Sequence, residues 1–586
     1  MKGKGLFLIL LRLSFVILSI KFVRDAFYKW DGYSYHMSLI KFLPEVSLAF
    51  ILWSLNSLII ASLLFVVIYP LYRIAPFHLF KMVIERILYW LNARITPLIL
   101  LFGFLFISAI PLSIIGIASG KGVKPQTQQN GIKKGRPNII LVIMDAMSAE
   151  DMELYGYQRS TTPFIKEWAR EAFVFDRAYS TSNWTTPSTM SIMTGKRPWT
   201  HRVWYIAEHH PVDLYNENLA MVLKDYGYKN YAFVQNNSAH PKTLGIGNFF
   251  DVNDPSYTFW RFHSGLVRWY ARFFINRNIV AKWVISENPF VKMLNIRPLR
   301  HPIYGAVIRS EDVYERFFDT ISRGREGPFF AWIHLYPPHD LYLPPKPYIG
   351  MYGDAERFTT LEEQVDSNLL HREYGHERQK DVDIMRKRYD EFILYSDQAF
   401  KGFINRLEGT IDMSNTIIIL TSDHGESFTH GFMGHNYFKF HEPLIHVPLI
   451  IKLPNMVYGR ITDTLVEGID IAPTILDLAG IPIPEWMEGR SLVPLFVGGE
   501  IEKKPIFSMQ LIKNPVIKKK PIGRGTFAIL DEDHKLIYDL KEKRVSLFNI
   551  NTDHGEIHDI SKEKSVIVTN LLRILEDELS RLNKGE

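Results

Sequence analysis

Apolar residues are distributed along this chain in two ways, and the change comes near residue 120. Before it they form long runs: 5–22, with Arg12 inside, then 46–72 and 95–119, both free of charge. About twenty consecutive apolar residues cross a bilayer, so the pattern predicts an anchor of about three transmembrane helices over residues 1–119, the first span the weakest. A signal peptide is the other reading of the first run, but two more spans follow it and no small-residue cleavage site is evident. The loop between the second and third spans carries Arg73, Lys81, Arg86 and Arg94 against Glu85, which favours the cytoplasmic side. The earlier loop is basic as well, with Arg24, Lys29 and Lys41. Three spans with the N-terminus inside predict a multi-pass protein of the cytoplasmic (inner) membrane, with everything after residue 120 outside the cytoplasm. Residues 120–137 are polar, contain Gly and Lys and lack periodicity, and read as a linker.

Beyond residue 137 the apolar runs shorten and alternate with amphipathic stretches. "NIILVIMD" (138–145) is continuous and ends in an acid, the pattern of a strand buried on both faces of a parallel sheet. Residues 228–235, 328–336, 416–423 and 447–454 repeat that pattern, whereas 162–172 and 388–409 have helical apolar spacing. The prediction is an α/β fold with a mainly parallel sheet flanked by helices. After about residue 500, "GTFAILDEDHKLIYDL" and "VSLFNINTDHGEIHDIS" suggest short antiparallel strands, and 566–582 an amphipathic helix, together a small α+β subdomain over 501–586. His554 and the acids there read as surface groups.

Composition narrows the class. With 586 residues, 47% hydrophobic and 13% aromatic, the chain has material for real cores and is not a disordered protein. A net charge of +6 is mild and compatible with anionic surfaces or substrates. There is no long basic tail or recognised nucleic-acid motif, so nucleic acid is not an expected partner. The absence of cysteine excludes disulfides, thiolate metal sites and cysteine nucleophiles.

In open α/β sheets ligands gather at the carboxyl ends of the strands, and two such ends carry acids. Asp145 closes the first strand; Asp423 leaves another and is followed at once by His424 and a glycine turn, "SDHGES". An ordinary polar loop is one reading of that pair, and a metal clamp is the other. Asp145, Asp423 and His424, completed by a hydroxyl, suit one divalent ion (Mn, Mg, Ca or Zn), and sequence does not choose among them. "SNWTTPSTMSIMTGKRP" (182–198) offers the hydroxyl, with Thr185 and Thr186 just before Pro187 at the start of a predicted helix. A threonine N-cap is the simpler reading. A nucleophile placed at the helix end is the sharper one.

In this order the segments resemble the sulfatase-like branch of the alkaline phosphatase superfamily, over about 138–580. "NIILVIMDAMSAEDMELYGYQRSTTPFIKEWA" is similar to its opening strand and first metal acid, and "TTPSTMSIMTGK" keeps the spacing of its nucleophile signature, with Thr185 at the nucleophile position. "HLYPPHDLYLPP", "TIIILTSDHGESFTHGFMGHNYFKFHEPLIHVPLIIKLP" and "DIAPTILDLAGIPIPEWMEGRSLVPL" resemble three further family segments. The resemblance implies a sulfatase-like catalytic domain over 138–500. It implies a metal held by Asp145, Thr185, Asp423 and His424, with Thr185 attacking the ester. By the same analogy His339 and His435 would be catalytic groups facing the substrate, Thr186 and Lys196 (which stands where an arginine is usual) would be substrate contacts, and Ser188 would be a supporting hydroxyl. His334 and His430 read as structural.

The departures bear on the chemistry. Thr185 cannot become the formylglycine of true sulfatases, because its methyl group would leave a ketone. Thr189 replaces the signature arginine and Ala146 the second acid of an Asp-Asp pair. "YAFVQNNSAH" stands in place of a further family motif, leaving Gln235, Asn236 and Asn237 to a substitute role, with Asn236 a substrate contact, or to none. A threonine nucleophile beside a membrane anchor is more similar to lipoteichoic-acid synthases and phosphoethanolamine transferases. Within about 253–326, residues 258–278 mix Phe, Trp and Tyr with Arg, which fits a helix at a lipid interface or packing against the protein's own core. Three functions are weighed on this basis. The leading one is a metal-dependent phosphoryl-group transferase or hydrolase, anchored in the lipid bilayer and acting through Thr185 on an anionic ester of an envelope lipid or glycan, with a lipid-linked substrate one form of it. The others are a sulfuric ester hydrolase and a non-catalytic protein that binds a lipid or a partner.

Overall fold

The run that begins at Asn138 is strand β1, Asn138–Met144, and every residue from Ile139 onward is fully buried. Such burial needs cover on both faces, and the chain supplies it from many elements. The computed structural model describes residues 135–204, 216–236, 238–254, 309–322, 327–354, 356–436, 438–511 and 522–584. The three expected spans, nearly all of the linker, the aromatic stretch 258–278 and Asn237 lie outside these. Among the described residues no helix is long and apolar enough to cross a membrane.

In chain order the strands are β1, β2 (Phe173–Phe175), β3 (Ala178–Tyr179), β4 (Lys229–Val234), β5 (Val252–Asp254), β6 (Phe329–Leu335), β7 (Arg372–Glu373) and β8 (Thr416–Thr421). They continue as β9 (Phe432–Met433), β10 (Leu449–Lys452), β11 (Arg460–Thr462), β12 (Val466–Glu467), β13 (Ile506–Leu511), β14 (Gly525–Asp531), β15 (His534–Asp539) and β16 (Arg544–Asn549). Among the described residues the helices of six or more residues are α1 (Pro163–Trp168), α2 (Thr185–Thr194), α3 (Leu219–Asp225), α4 (Ser310–Ser322), α5 (Leu361–Asp366), α6 (Gln379–Glu408), α7 (Ile471–Leu478) and α8 (Ser565–Lys584).

The central sheet has eight strands in the order β11-β2-β10-β8-β1-β6-β4-β5. β1 runs parallel to both β6 and β8, and β10 is antiparallel to β8 and β2. The fold is therefore α/β with a mainly parallel sheet, as the strand pattern predicts. Alternation divides its core. Ile140, Val142 and Met144 face the layer of α1, α4 and α6; Ile139, Leu141 and Ile143 face α2, α3 and α7. α6 begins nine residues before the predicted start, because Val382 and Met385 extend the buried stripe that runs through Tyr389, Phe392, Ile393, Phe400 and Leu407.

A separate antiparallel sheet, β13-β14-β15-β16, forms the C-terminal part. Phe507, Met509, Phe527 and Leu547 meet Leu571, Leu575 and Leu579 of α8 on one face. On the other face, Ile506, Ala528 and Leu530 meet Tyr179, Phe440 and Leu444. Of the segment 545–561, only β16 is strand. Beyond it Asp553 accepts from the backbone N–H groups of Ile557 and His558 at 3.1 and 2.8 Å, and these local bonds compete with a ladder. His554 is exposed, as expected of a surface group.

Candidate active site and cation site

β1 and β8 lie side by side with Ile143 opposite Thr421, so the residues just past their ends, Asp145 and Asp423, arrive at one edge. Each acid is aimed by backbone donors or side chains. Asp423 Oδ1 accepts from the N–H groups of Ala146 (3.3 Å) and His424 (3.1 Å), which leaves Oδ2 turned inward. Asp145 Oδ2 accepts from Asn236 Nδ2 at 2.5 Å. Among the described residues, Asp145 Oδ1 and Asp423 Oδ2 are buried and accept no hydrogen bond.

His424 completes the set. Its Nδ1 donates to the carbonyl of Gly425 at 2.9 Å, so the Nε2 lone pair faces inward, 3.5 Å from Asp145 Oδ1 and 3.9 Å from Asp423 Oδ2. The turn that carries it requires glycine at 425. A Cβ there would stand 2.0 Å from the carbonyl oxygen of Pro443. His334 of β6, fully buried, places Nε2 3.3 Å from Asp145 Oδ2 and 3.7 Å from Asp423 Oδ2. Two uncompensated buried carboxylate oxygens beside an unprotonated imidazole nitrogen are a donor set that fits a divalent cation. The acids are also driven apart. Burial raises both, but His339, His334 and His424 outweigh it at Asp145 and hold it at about 2. Burial and then the Asp145 charge push Asp423 up.

Thr185 opens α2, all ten residues of which are buried. Of the two readings of this helix start, the threonine cap is not observed. Trp184 occupies the cap position with no side-chain capping bond, and the threonine hydroxyls have other partners. Thr185 Oγ1 lies 3.3 Å from His424 Nε2 and 3.4 Å from Asn236 Nδ2. Thr186 donates to the carbonyl of Ser238 at 3.1 Å, and Ser188 to that of Ser182 at 3.0 Å. Asn236 is itself oriented, since its Oδ1 accepts from Ser238 N at 2.8 Å. Gln235 turns away to bond the backbone of Tyr336 and Arg309.

On the open side stand His339 and His435, with ring centroids 4.6 Å apart and 6.3 and 4.5 Å from His424. His339 Nδ1 contacts the Asp340 carboxylate at 2.8 Å. Burial lowers its pKa, but Asp340 and Asp145 raise it well above the ordinary value. His435 Nδ1 is 3.1 Å from Glu426, whose own pKa burial lifts to about 8. Burial and the neighbouring histidines hold His435 well below its usual value.

Several expected residues are elsewhere. Lys196 follows the far end of α2, where it pairs with Glu217 and lies 5.1 Å from the Trp486 ring, so the structure does not bring it to the site. His430 stacks on His441 and bonds the carbonyl of Gly555. Thr189 is buried with its hydroxyl unpaired, and Ala146 has a left-handed φ of 60°. Asp340, Glu426 and His371 were not singled out from the sequence. The first two stand inside the quoted segments "PPHDLY" and "SDHGES"; His371, 64 positions from His435, has no signal near it.

A family model described as Sulfatase matches residues 137–481, more than half of the chain, and one described as N-sulphoglucosamine sulphohydrolase, C-terminal, matches 429–585. The chain is 25% identical over 414 residues to the multifunctional alkaline phosphatase superfamily protein PehA of Trinickia caryophylli, covering 62% of this chain and 78% of that protein. It is 26% identical over 405 residues to an arylsulfatase of Clostridium perfringens, covering 61% and 78%. The crystal structure of a phosphonate monoester hydrolase of Agrobacterium radiobacter superposes with a TM-score of 0.56 at 20% identity, over 77% of this chain and 96% of that one.

Proposed function

The chain belongs to the sulfatase family and is a hydrolase of sulfate or phosphate esters, and from that premise we propose that Thr185 is the group that attacks the ester. One observation carries the reading: the Thr185 hydroxyl stands 3.3 Å from His424 and 3.4 Å from Asn236, at a helix end that no side chain caps. The family is metal-dependent, and Asp145, Asp423 and His424 would hold the cation, with His334 against the same two carboxylates and Thr185 against His424. A divalent cation bound there would lower the pKa of a neighbouring hydroxyl and draw charge from the ester oxygens. Asn236 fixes the direction of the Thr185 oxygen. The first N–H groups of α2 point their dipoles at the charge that develops on the ester. Thr185 releases its hydroxyl proton to solvent, and as the bond from its Oγ to sulfur or phosphorus forms, the bond to the leaving oxygen breaks. His339, held protonated by Asp340, gives that oxygen its proton. Water then attacks the same sulfur or phosphorus and gives a proton to the now neutral His339, while the bond to Thr185 Oγ breaks and that oxygen takes a proton back from solvent. This assignment leaves Lys196 and Thr186 as supports of the surrounding chain.

A sulfate ester has the stronger support, from the matching family and the arylsulfatase relative, and it displaces phosphoryl transfer as the leading reading. The family membership also removes the non-catalytic alternative. A phosphate ester is the second reading, and Thr185 itself favours it. With the aldehyde route closed, either threonine ester is opened by a second in-line displacement, at sulfur or at phosphorus, and an unmodified threonine nucleophile is the feature that resembles the phosphoryl-transferring enzymes. Three other features remain part of the proposal: an anchor over 1–119, a division into 138–500 and 501–586, and a lipid-linked substrate met outside the cytoplasm. The apolar runs before residue 120 support the first and the third, and the separate sheet β13-β14-β15-β16 supports the second.

The test is hydrolysis of 4-nitrophenyl sulfate and 4-nitrophenyl phosphate by the full chain, after chelation and add-back of divalent ions. Thr185→Ala is expected to lower turnover about a thousandfold or more while the protein still takes up metal. Intact-mass detection of a sulfo or phospho adduct on Thr185 decides between the esters. Unchanged turnover in that variant removes the threonine from the mechanism.

A further inference from the structure

His371 belongs to no part of the machinery described above, yet it is built against it. It sits just before β7, which pairs antiparallel with β9, and β9 leads directly to Gly434 and His435. The approach is close enough to need a residue without a side chain: a Cβ on Gly434, whose φ is +115°, would stand within 2.9 Å of the His371 backbone and ring. His371 itself has a φ of 56°, in the left-handed region that a β-carbon disfavours. Backbone in that conformation persists where its surroundings fix it.

The ring faces two acceptors and no donor. Nδ1 is 3.1 Å from the carbonyl oxygen of His435, and Nε2 is 3.4 Å from Asp340 Oδ1. Both contacts are satisfied only when both nitrogens carry protons, so the geometry describes an imidazolium. The pKa agrees: burial lowers it, but Asp340 raises it to about 9. Asp340 is shared with His339, 2.8 Å away on its other side, so one carboxylate serves two histidines and leaves a surplus of positive charge. The position is equally specific. His371 meets His435 edge to face at 4.6 Å, His435 in turn lies 4.5 Å from His424, and 39% of the His371 side chain is open to solvent. The cationic ring thus stands one histidine beyond the cation ligands, partly open to solvent and on the same Asp340 carboxylate as His339, the residue assigned to the leaving oxygen.

We propose that His371 is a specificity residue that binds a second anionic group, a carboxylate, sulfate or phosphate, carried by the leaving group of the ester. This rests on the reading of the site as an ester hydrolase and deepens it: the substrate is a polyanion rather than a simple monoester. A charge-assisted hydrogen bond at a partly open site contributes discrimination rather than chemistry.

The experiment compares phenyl sulfate with its carboxy-substituted isomers, and the corresponding phosphates, on the full chain and on its His371→Asn, His371→Ala and His371→Lys variants. The quantity read is the ratio of kcat/KM for a carboxylated ester to that for the plain one. The expected result is a wild-type ratio above one that falls about tenfold in His371→Asn and His371→Ala, through KM rather than kcat, and recovers in His371→Lys. Equal losses on both esters with an unchanged ratio would mean that His371 only supports Asp340 and His435, and would overturn the inference. A wild-type ratio at or below one would overturn it too, with the hydrolase reading intact. A wild-type protein that cleaves none of these esters removes the hydrolase reading and this inference together.

Discussion

Asn236 donates through one amide nitrogen to both Asp145 and Thr185, so one side chain fixes the metal acid and the nucleophile relative to each other. Its replacement by Ala removes a donor that sits where charge develops. The expected loss is about a hundredfold in kcat with KM little changed, measured by steady-state hydrolysis of the 4-nitrophenyl esters. Residues of this kind were unevenly legible. Asp145, Asp423 and His424 announce themselves because an acid or an Asp-His pair directly after a buried apolar run stands where strands end. Thr185 was visible as one of two hydroxyls at a helix start, with capping as the competing use; what decides against capping is the approach of His424, 239 positions away in the chain. Asn236 was one of three adjacent amides, and nothing local distinguished it from Gln235, which bonds backbone instead. Lys196 shows the opposite failure. Its place in a motif suggested substrate, but a helix of ten residues is about 15 Å long, and Lys196 follows its far end.

Elements carry the next constraint. The turn between Asp423 and Glu426 can pass beneath Pro443 only because residue 425 has no side chain. Gly425→Ala forces that turn or the 443–445 segment to move, and the expected cost is about 2–4 kcal/mol in urea unfolding together with a weaker grip on divalent cations. Strand periodicity made the central sheet readable, since residues buried on both faces leave continuous apolar runs. The very short strands β3, β7, β9 and β12 were not readable, because two residues make no period. β10 was recognised as a strand, but its antiparallel direction was not, because apolar runs look alike in either sense. α6 was under-measured at its start because the charged run Arg386, Lys387 and Arg388 separates Val382 and Met385 from Tyr389 and dilutes the stripe.

At the scale of the molecule, the C-terminal sheet is joined to the central one through buried ions. Lys535 of β15, wholly buried, pairs with Glu442 at 2.7 Å and with Glu556. Nearby, His446 faces two acceptors, Glu150 at 2.7 Å and the carbonyl of Asp176 at 2.8 Å. Burial lowers the His446 pKa, but the Glu150 bond and charge raise it from 6.5 to about 9. A raised histidine adds stability that is complete below its unfolded value and fades as pH climbs through the folded one. His446→Gln is therefore expected to destabilise by about 1–2 kcal/mol at pH 6, discounted for the partly open Glu150, with the difference shrinking as pH rises from 6.5 and largely gone above about 9 in paired urea titrations. None of these long-range ion pairs has a local sequence signature. The assignment of a small C-terminal α+β unit came instead from β14, β15 and α8, whose patterns are self-contained. The pairing of β1 with β8 has one last consequence. Asp145 and Asp423 are 278 positions apart and become neighbours only when the sheet's middle has closed, so the unfolded polypeptide offers no comparable clasp. A cation held there acts as a fastener on the folded form alone, worth about 2.7 kcal/mol at a hundred times its dissociation constant. Stripping the protein with a chelator should lower its melting temperature by several degrees, and titrating the ion back should restore it along a binding curve.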